Sequence, residues 1–126
     1  MKFGLNKNTI KKLNQIFTAH PEVQQAILYG SRAKGSFKHN SDIDITLKGE
    51  NINLDVLNNI SLEIDDLLLP YMIDLSIFSH IKNDELIDHI HRVGKVFYER
   101  ETATSLSSLA GRALQKLTVN SSIQKS

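Results

Sequence analysis

The run Asp42-Ile43-Asp44-Ile45-Thr46-Leu47 alternates polar and apolar residues without a break. In an extended chain, successive side chains point to opposite faces. The pattern therefore dictates a strand with Ile43 and Ile45 turned into a core and Asp42 and Asp44 together on the other face. Carboxylates two residues apart on such a strand have Cα atoms about 6–7 Å apart. Both stay ionised cheaply only when a cation lies between them. A strand of this kind needs an apolar layer behind it, and the rest of the chain supplies the material.

Ile10, Leu13, Ile16 and Phe17 fall at helical spacing, with Asn8 as the expected cap and Pro21 just beyond the end. Ala26-Ile27-Leu28-Tyr29 is a short apolar run that stops at Gly30 and reads as a buried strand. Residues 30–40 are rich in Gly, Ser and Lys, a loop or short helix entered through Gly30-Ser31. A helical stripe follows over Leu54–Leu69, capped by Asn53 and stopped by Pro70. Tyr71–Phe78 is rich in strand formers and carries one carboxylate, Asp74. Leu86, Ile87, Ile90 and Val93 mark a last helix with Gly94 as its C-cap, and Lys95–Tyr98 a final strand. Helices alternating with strands predict an α/β (α+β) layer fold, one small sheet covered by helices.

At 126 residues and 14.2 kDa, one domain is expected, spanning 1–100, with 101–126 as a tail. Leu106, Leu109, Ala113 and Leu117 of that tail trace a weak amphipathic stripe interrupted by Gly111. It is expected to be frayed, or to dock on a partner. Fifteen Lys and Arg against 14 Asp and Glu leave a formal charge of +1. That balance announces neither a nucleic acid nor a membrane as partner. The absence of Cys excludes disulfides, thiolate zinc sites and thiol nucleophiles. The N-terminus lacks the apolar run of a signal peptide, so a soluble, cytoplasmic protein is expected.

Three features converge on one chemistry. Gly30-Ser31-Arg32-Ala33-Lys34-Gly35 directly follows a strand. Gly30 allows a sharp turn and close approach to a ligand, and Ser31 opens a possible helix whose N–H groups, with the hydroxyl, suit an anion. Arg32 or Lys34 would neutralise phosphate oxygens. Asp42 and Asp44 offer the hard oxygen ligands that Mg²⁺ favours. Asp74, in an apolar strand, would be costly to bury unpaired, so either it emerges beside something positive or its strand is exposed on that face. If its strand neighbours that of Asp42, the three carboxylates form one cluster. Such a cluster, facing a phosphate-gripping turn, would hold two Mg²⁺ roughly 4 Å apart. An incoming hydroxyl would then attack the α-phosphorus of a nucleotide. The reaction is nucleotidyl transfer.

In Leu28-Tyr29-Gly30-Ser31-Arg32-Ala33-Lys34-Gly35, Ser41-Asp42-Ile43-Asp44-Ile45 and Ile73-Asp74-Leu75, the chain resembles the polymerase-beta-type nucleotidyltransferase superfamily. Within it, the minimal nucleotidyltransferases (MNT) are similar over about residues 10–99. The one departure is Lys34, where Arg is common. The resemblance implies the polymerase-beta-like fold, a small mixed sheet flanked by helices. It also implies an antitoxin of a type VII-like pair, partnered by a HEPN-domain ribonuclease toxin. Such enzymes transfer AMP from ATP to a tyrosine hydroxyl of the toxin. By motif, Gly30 and Ser31 would hold the phosphates, with Arg32 a weaker contact. Asp42 and Asp44 would ligate Mg²⁺, and Asp74 would complete the metal site and act as general base. A chain of this length is expected to take its acceptor from a partner surface. A non-catalytic antitoxin acting by binding is an alternative, as is a nucleotidyltransferase subunit for a small-molecule or RNA acceptor.

The remaining polar residues read as ordinary surface. His89 and His91 are two apart on a helix and diverge, so a solvated face is expected for them and for Asp88. Glu63, Asp65 and Asp66 fall on the wet side of their helix, and His39 lies in a loop. Tyr29 and Tyr98 are expected to pack at the core or edge.

Overall fold

The alternation that opens at Asp42 builds a strand, β2 (Ile43–Lys48), and fixes the two layers of the molecule. The computed structural model describes residues 2–101. In β2, Ile43, Ile45 and Leu47 are fully buried beneath the first two long helices. Those helices are α1 (Lys7–Ala19), contributing Leu13 and Phe17, and α3 (Leu54–Asp65), contributing Ile60 and Ile64. Between them the chain runs through β1 (Gln25–Tyr29) and the single-turn α2 (Ser31–Lys34). After α3 come β3 (Ile73–Ile77), a 3-10 turn at Phe78–His80, α4 (Asp84–Val93) and β4 (Lys95–Glu99).

The strands form one mixed sheet in the order β3-β2-β1-β4. β1 is antiparallel to both neighbours, whereas β2 and β3 are parallel and joined through α3. Every residue of β1 after Gln25 is buried, because α1 and α3 cover one face and α4 covers part of the other. On that second face, Ile27 and Tyr29 meet Ile90 of α4. The mixed sheet with helices on both faces agrees with the sequence expectation.

Several boundaries move for local reasons. Asn6 rather than Asn8 caps α1, its Oδ1 accepting from the Thr9 N–H at 2.8 Å. α3 is capped by Asn53 as expected but stops at Asp65 instead of Leu69. Leu69 precedes Pro70 and is sterically barred from helical geometry. The chain unwinds ahead of it through tighter turns, Leu67 N–H to Ile64 O and Leu68 N–H to Asp65 O, at 3.0 and 3.1 Å. Gly94 does close α4, but in extended geometry, φ −58° and ψ 142°. It is needed for space, since a Cβ there would crowd the Ile90 carbonyl and sit 2.8 Å from Ile27 Cγ2. The stripe expected beyond Glu101 lies outside the described residues. Among those described, no helix is long and apolar enough to cross a membrane.

Arg100 fastens the end of β4 to the end of α1. Its Nε donates to the Val23 carbonyl at 2.9 Å, and one terminal nitrogen reaches the carbonyls of Phe17, Thr18 and His20. Phe17 itself is fully buried and lies edge-on to Phe97, with centroids 6.4 Å apart. Phe17→Ala should therefore destabilise the domain by about 3–5 kcal/mol, read as a lowered urea midpoint at unchanged m-value.

Candidate active site

Parallel pairing places Ile43 beside Ile73 and Asp44 directly beside Asp74. Residues in register on neighbouring strands project to the same face, and the period of two brings Asp42, just ahead of β2, to that face as well. The adjacency left open by the sequence is therefore present. Across β2 from Asp74, Tyr29 of β1 stands opposite Asp44, and the chain turns at once through Gly30. Gly30 has φ +76°, a conformation L side chains rarely adopt, and a Cβ on it would collide with Asp44 Oδ2. The Gly-Ser turn thus rests against the central carboxylate. Deeper on the same face, Ser76 Oγ donates to Thr46 Oγ1 at 2.9 Å.

Asp42 and Asp74 are exposed and Asp44 is half-buried. Burial, then the Asp74 and Asp42 carboxylates, push the Asp44 carboxyl above its ordinary value, against a smaller opposing pull from His89. The Tyr29 phenol is likewise raised, chiefly by burial, with a hydrogen bond to Ser76 opposing and Asp74 and Asp44 adding to the shift. Among the described residues, no three His, Asp or Glu side chains are gathered into a ready-made metal cage. The donor set is nonetheless the one Mg²⁺ takes: hard oxygens on one face, with negative charge in excess. These residues fit a divalent ion.

Ser31 opens α2 half-buried beside the acidic face, and Lys34 at its end is exposed. Arg32, expected among the phosphate contacts, is only 2% exposed. Its Nε and one terminal nitrogen donate to the Ser41 carbonyl at 3.1 and 2.9 Å, and the other terminal nitrogen donates to Phe3 O at 2.9 Å. The guanidinium lies over the Phe37 and Tyr71 rings, 5.2 and 4.9 Å from their centroids. Its donors are committed inside the fold, where they hold Ser41 next to Asp42. Nothing local in the sequence distinguishes such a buried arginine from a phosphate ligand.

His89 departs from the solvated helix face expected of it. It is half-buried, and its Nε2 accepts from the Gly30 N–H at 3.1 Å. Its ring meets Tyr29 edge-on at 6.2 Å. The signal was present, because 89 lies three residues after Leu86 and next to Ile90, within the buried stripe of α4. Its neighbours do behave as surface: Asp88 pairs with Arg92 at 2.8 Å, and His91 is exposed against Phe78. Glu63, exposed on α3, hydrogen-bonds His20 at 2.7 Å, and His39 is exposed. Tyr98 packs against Phe17 at 5.8 Å.

The raised Asp44 carboxyl sets a sign. A group that holds its proton more tightly when folded stabilises the fold below its unfolded value, and that stability is lost as pH rises through the folded one. At pH 7 without metal, Asp44→Asn should therefore unfold at higher urea than the parent. The advantage should shrink as pH falls toward about 4. Gly30→Ala combines a positive φ with a clash on Asp44, and a lower thermal midpoint is expected.

The family model described as polymerase beta nucleotidyltransferase matches residues 11–103. No curated protein matches the chain at the sequence level. Among solved structures, the chain is similar to a toxin–antitoxin crystallised with AMP-PNP, at 21% identity over 88% of this chain and 92% of that one, TM-score 0.57. It is also similar to an MNT antitoxin in complex with a tri-AMPylated HEPN toxin from Shewanella oneidensis, at 15% identity over 88% and 87%, TM-score 0.57. A toxin–antitoxin MntA–HepT structure matches at 15% identity over 87% and 92%, TM-score 0.56. At these identities the likeness is one of fold. The family match, by contrast, takes in the Gly-Ser turn, both aspartate-bearing strands and α4, and the chain belongs to the polymerase beta nucleotidyltransferase family.

Proposed function

We propose that this chain is an antitoxin that works as a Mg²⁺-dependent protein adenylyltransferase, moving AMP from ATP to a tyrosine hydroxyl of a HEPN ribonuclease toxin and so silencing it. The observation that carries this reading is the in-register pair Asp44 and Asp74, with Asp42 on the same face, set against the Gly30-Ser31 turn. It is supported by the similarity to a toxin–antitoxin solved with AMP-PNP and to an MNT antitoxin whose HEPN toxin is tri-AMPylated. ATP as donor goes with a cytoplasmic location.

Asp42, Asp44 and Asp74 would hold Mg²⁺, which when bound neutralises the carboxylates and the triphosphate. The backbone N–H groups at the start of α2, the Ser31 hydroxyl and the exposed Lys34 bind phosphate oxygens. Arg32 acts through the backbone, fixing Ser41 and hence the approach to Asp42. Asp74 lies on the edge strand and is open to solvent, where an acceptor hydroxyl from a partner protein can reach it. It takes the hydroxyl proton as the tyrosine oxygen attacks the α-phosphorus. The α–β phosphoanhydride bond then breaks and pyrophosphate leaves.

With ATP, Mg²⁺ and the cognate HEPN protein, the purified protein should add the mass of AMP to its partner. Asp44→Ala and removal of Mg²⁺ by EDTA should each abolish the adduct. Absence of any adduct on a confirmed partner would overturn the reading. Protection from the toxin that survives in an Asp42→Ala, Asp44→Ala double variant would favour an antitoxin acting by contact.

A further inference from the structure

We propose that His89 of α4 is a positioning residue for nucleotidyl transfer, holding the Gly-Ser turn at a fixed distance from the carboxylates. The inference rests on the adenylyltransferase reading above. Gly30 is the joint between β1 and the phosphate-binding turn, and its N–H is taken by His89 Nε2 at 3.1 Å. An imidazole that accepts at Nε2 carries its proton on Nδ1. The ring packs edge-on against Tyr29 of β1, which is itself buried against Ile90 of α4. α4 thereby reaches across 59 residues of sequence to grip the turn.

Two consequences follow from this grip. The Gly30 N–H is not available to a phosphate, so the nucleotide relies on the donors beyond it, from Ser31 onward. The turn is also clamped from both sides: Asp44 Oδ2 occupies the space of a Gly30 Cβ, and His89 holds the amide. Transfer rates fall steeply when a reacting atom is misplaced by as little as 1 Å. A loosened turn should therefore slow the chemical step more than it weakens nucleotide binding.

The test compares substitutions that separate ring from acceptor, in the AMP-transfer assay with ATP, Mg²⁺ and the partner protein. His89→Phe keeps a ring against Tyr29 and removes the acceptor. His89→Asn keeps polarity, but its short amide falls where Nδ1 stood and does not reach Gly30. Both should lower kcat by about 10–100-fold while KM for ATP stays within about threefold. His89→Gln, whose longer amide places an oxygen near the Nε2 position, should recover kcat to within about threefold of the parent. Parental kcat in the Phe or Asn variant overturns the proposal. So does an equal loss in the Gln variant, which would make the ring and not the acceptor responsible. If the parent protein itself transfers nothing, the adenylyltransferase reading fails. The grip is then judged alone by a scalar coupling between the Gly30 amide nitrogen and His89 Nε2 in the unliganded parent: its presence supports the grip and its absence overturns it.

Discussion

The register between β2 and β3 is the constraint on which the rest depends. Parallel pairing sets Asp44 beside Asp74, and alternation adds Asp42, so three carboxylates share one sheet face. Partial burial opposes ionisation of Asp44, and the like charges of Asp74 and Asp42 add to the effect, so its carboxyl is raised above its usual value. A slip of one residue in β3 would send Asp74 to the opposite face and bring apolar Ile73 or Leu75 in its place. The hydrophobic layer prevents that slip, because Ile43, Ile45, Leu47 and Ile77 are all needed beneath α1 and α3. Core packing thereby fixes the geometry of the polar face.

The turn opposite the carboxylates is held just as firmly, by residues from three separate regions. Gly30 approaches so closely that no side chain fits between its backbone and Asp44. His89 secures its amide from α4. Arg32 anchors the following segment by donating to Ser41 and Phe3, with its charge spread over Phe37 and Tyr71. A buried guanidinium is tolerable only when its donors are satisfied, and here each nitrogen finds a carbonyl. The face is organised by groups that point away from it as much as by those that point toward it.

An excess of negative charge held by a rigid sheet is a poor arrangement for stability and a suitable one for catalysis. It concentrates hard oxygen donors on one sheet face, held in place by the fold before any reaction begins. Asp74, exposed on the edge strand, leaves this surface open to solvent.

Local periodicity alone specified the alternation of helices and strands, the turn at Gly30 and the aspartates facing away from the core. These follow from side-chain direction and backbone sterics within a few residues. The caps at Asn53 and Gly94 were legible for the same reason, although Gly94 proved to be required by packing against Ile27 rather than by handedness. Helix ends at Asn6 and Asp65 were not, because a cap is chosen by whichever side chain reaches the amide, and Pro70 acts from a distance. The site divides along the same line. That Asp42 and Asp44 share a face is a property of one strand, whereas Asp74 joins them only through a register set by the buried layer. The place of His89 in the buried stripe of α4 was legible, but the partners of Arg32 and His89 were decided only by the fold. A guanidinium or an imidazole donates or accepts equally well toward solvent, phosphate or backbone, and only the packed neighbours Phe3, Ser41, Tyr29 and Gly30 decide which partner it takes.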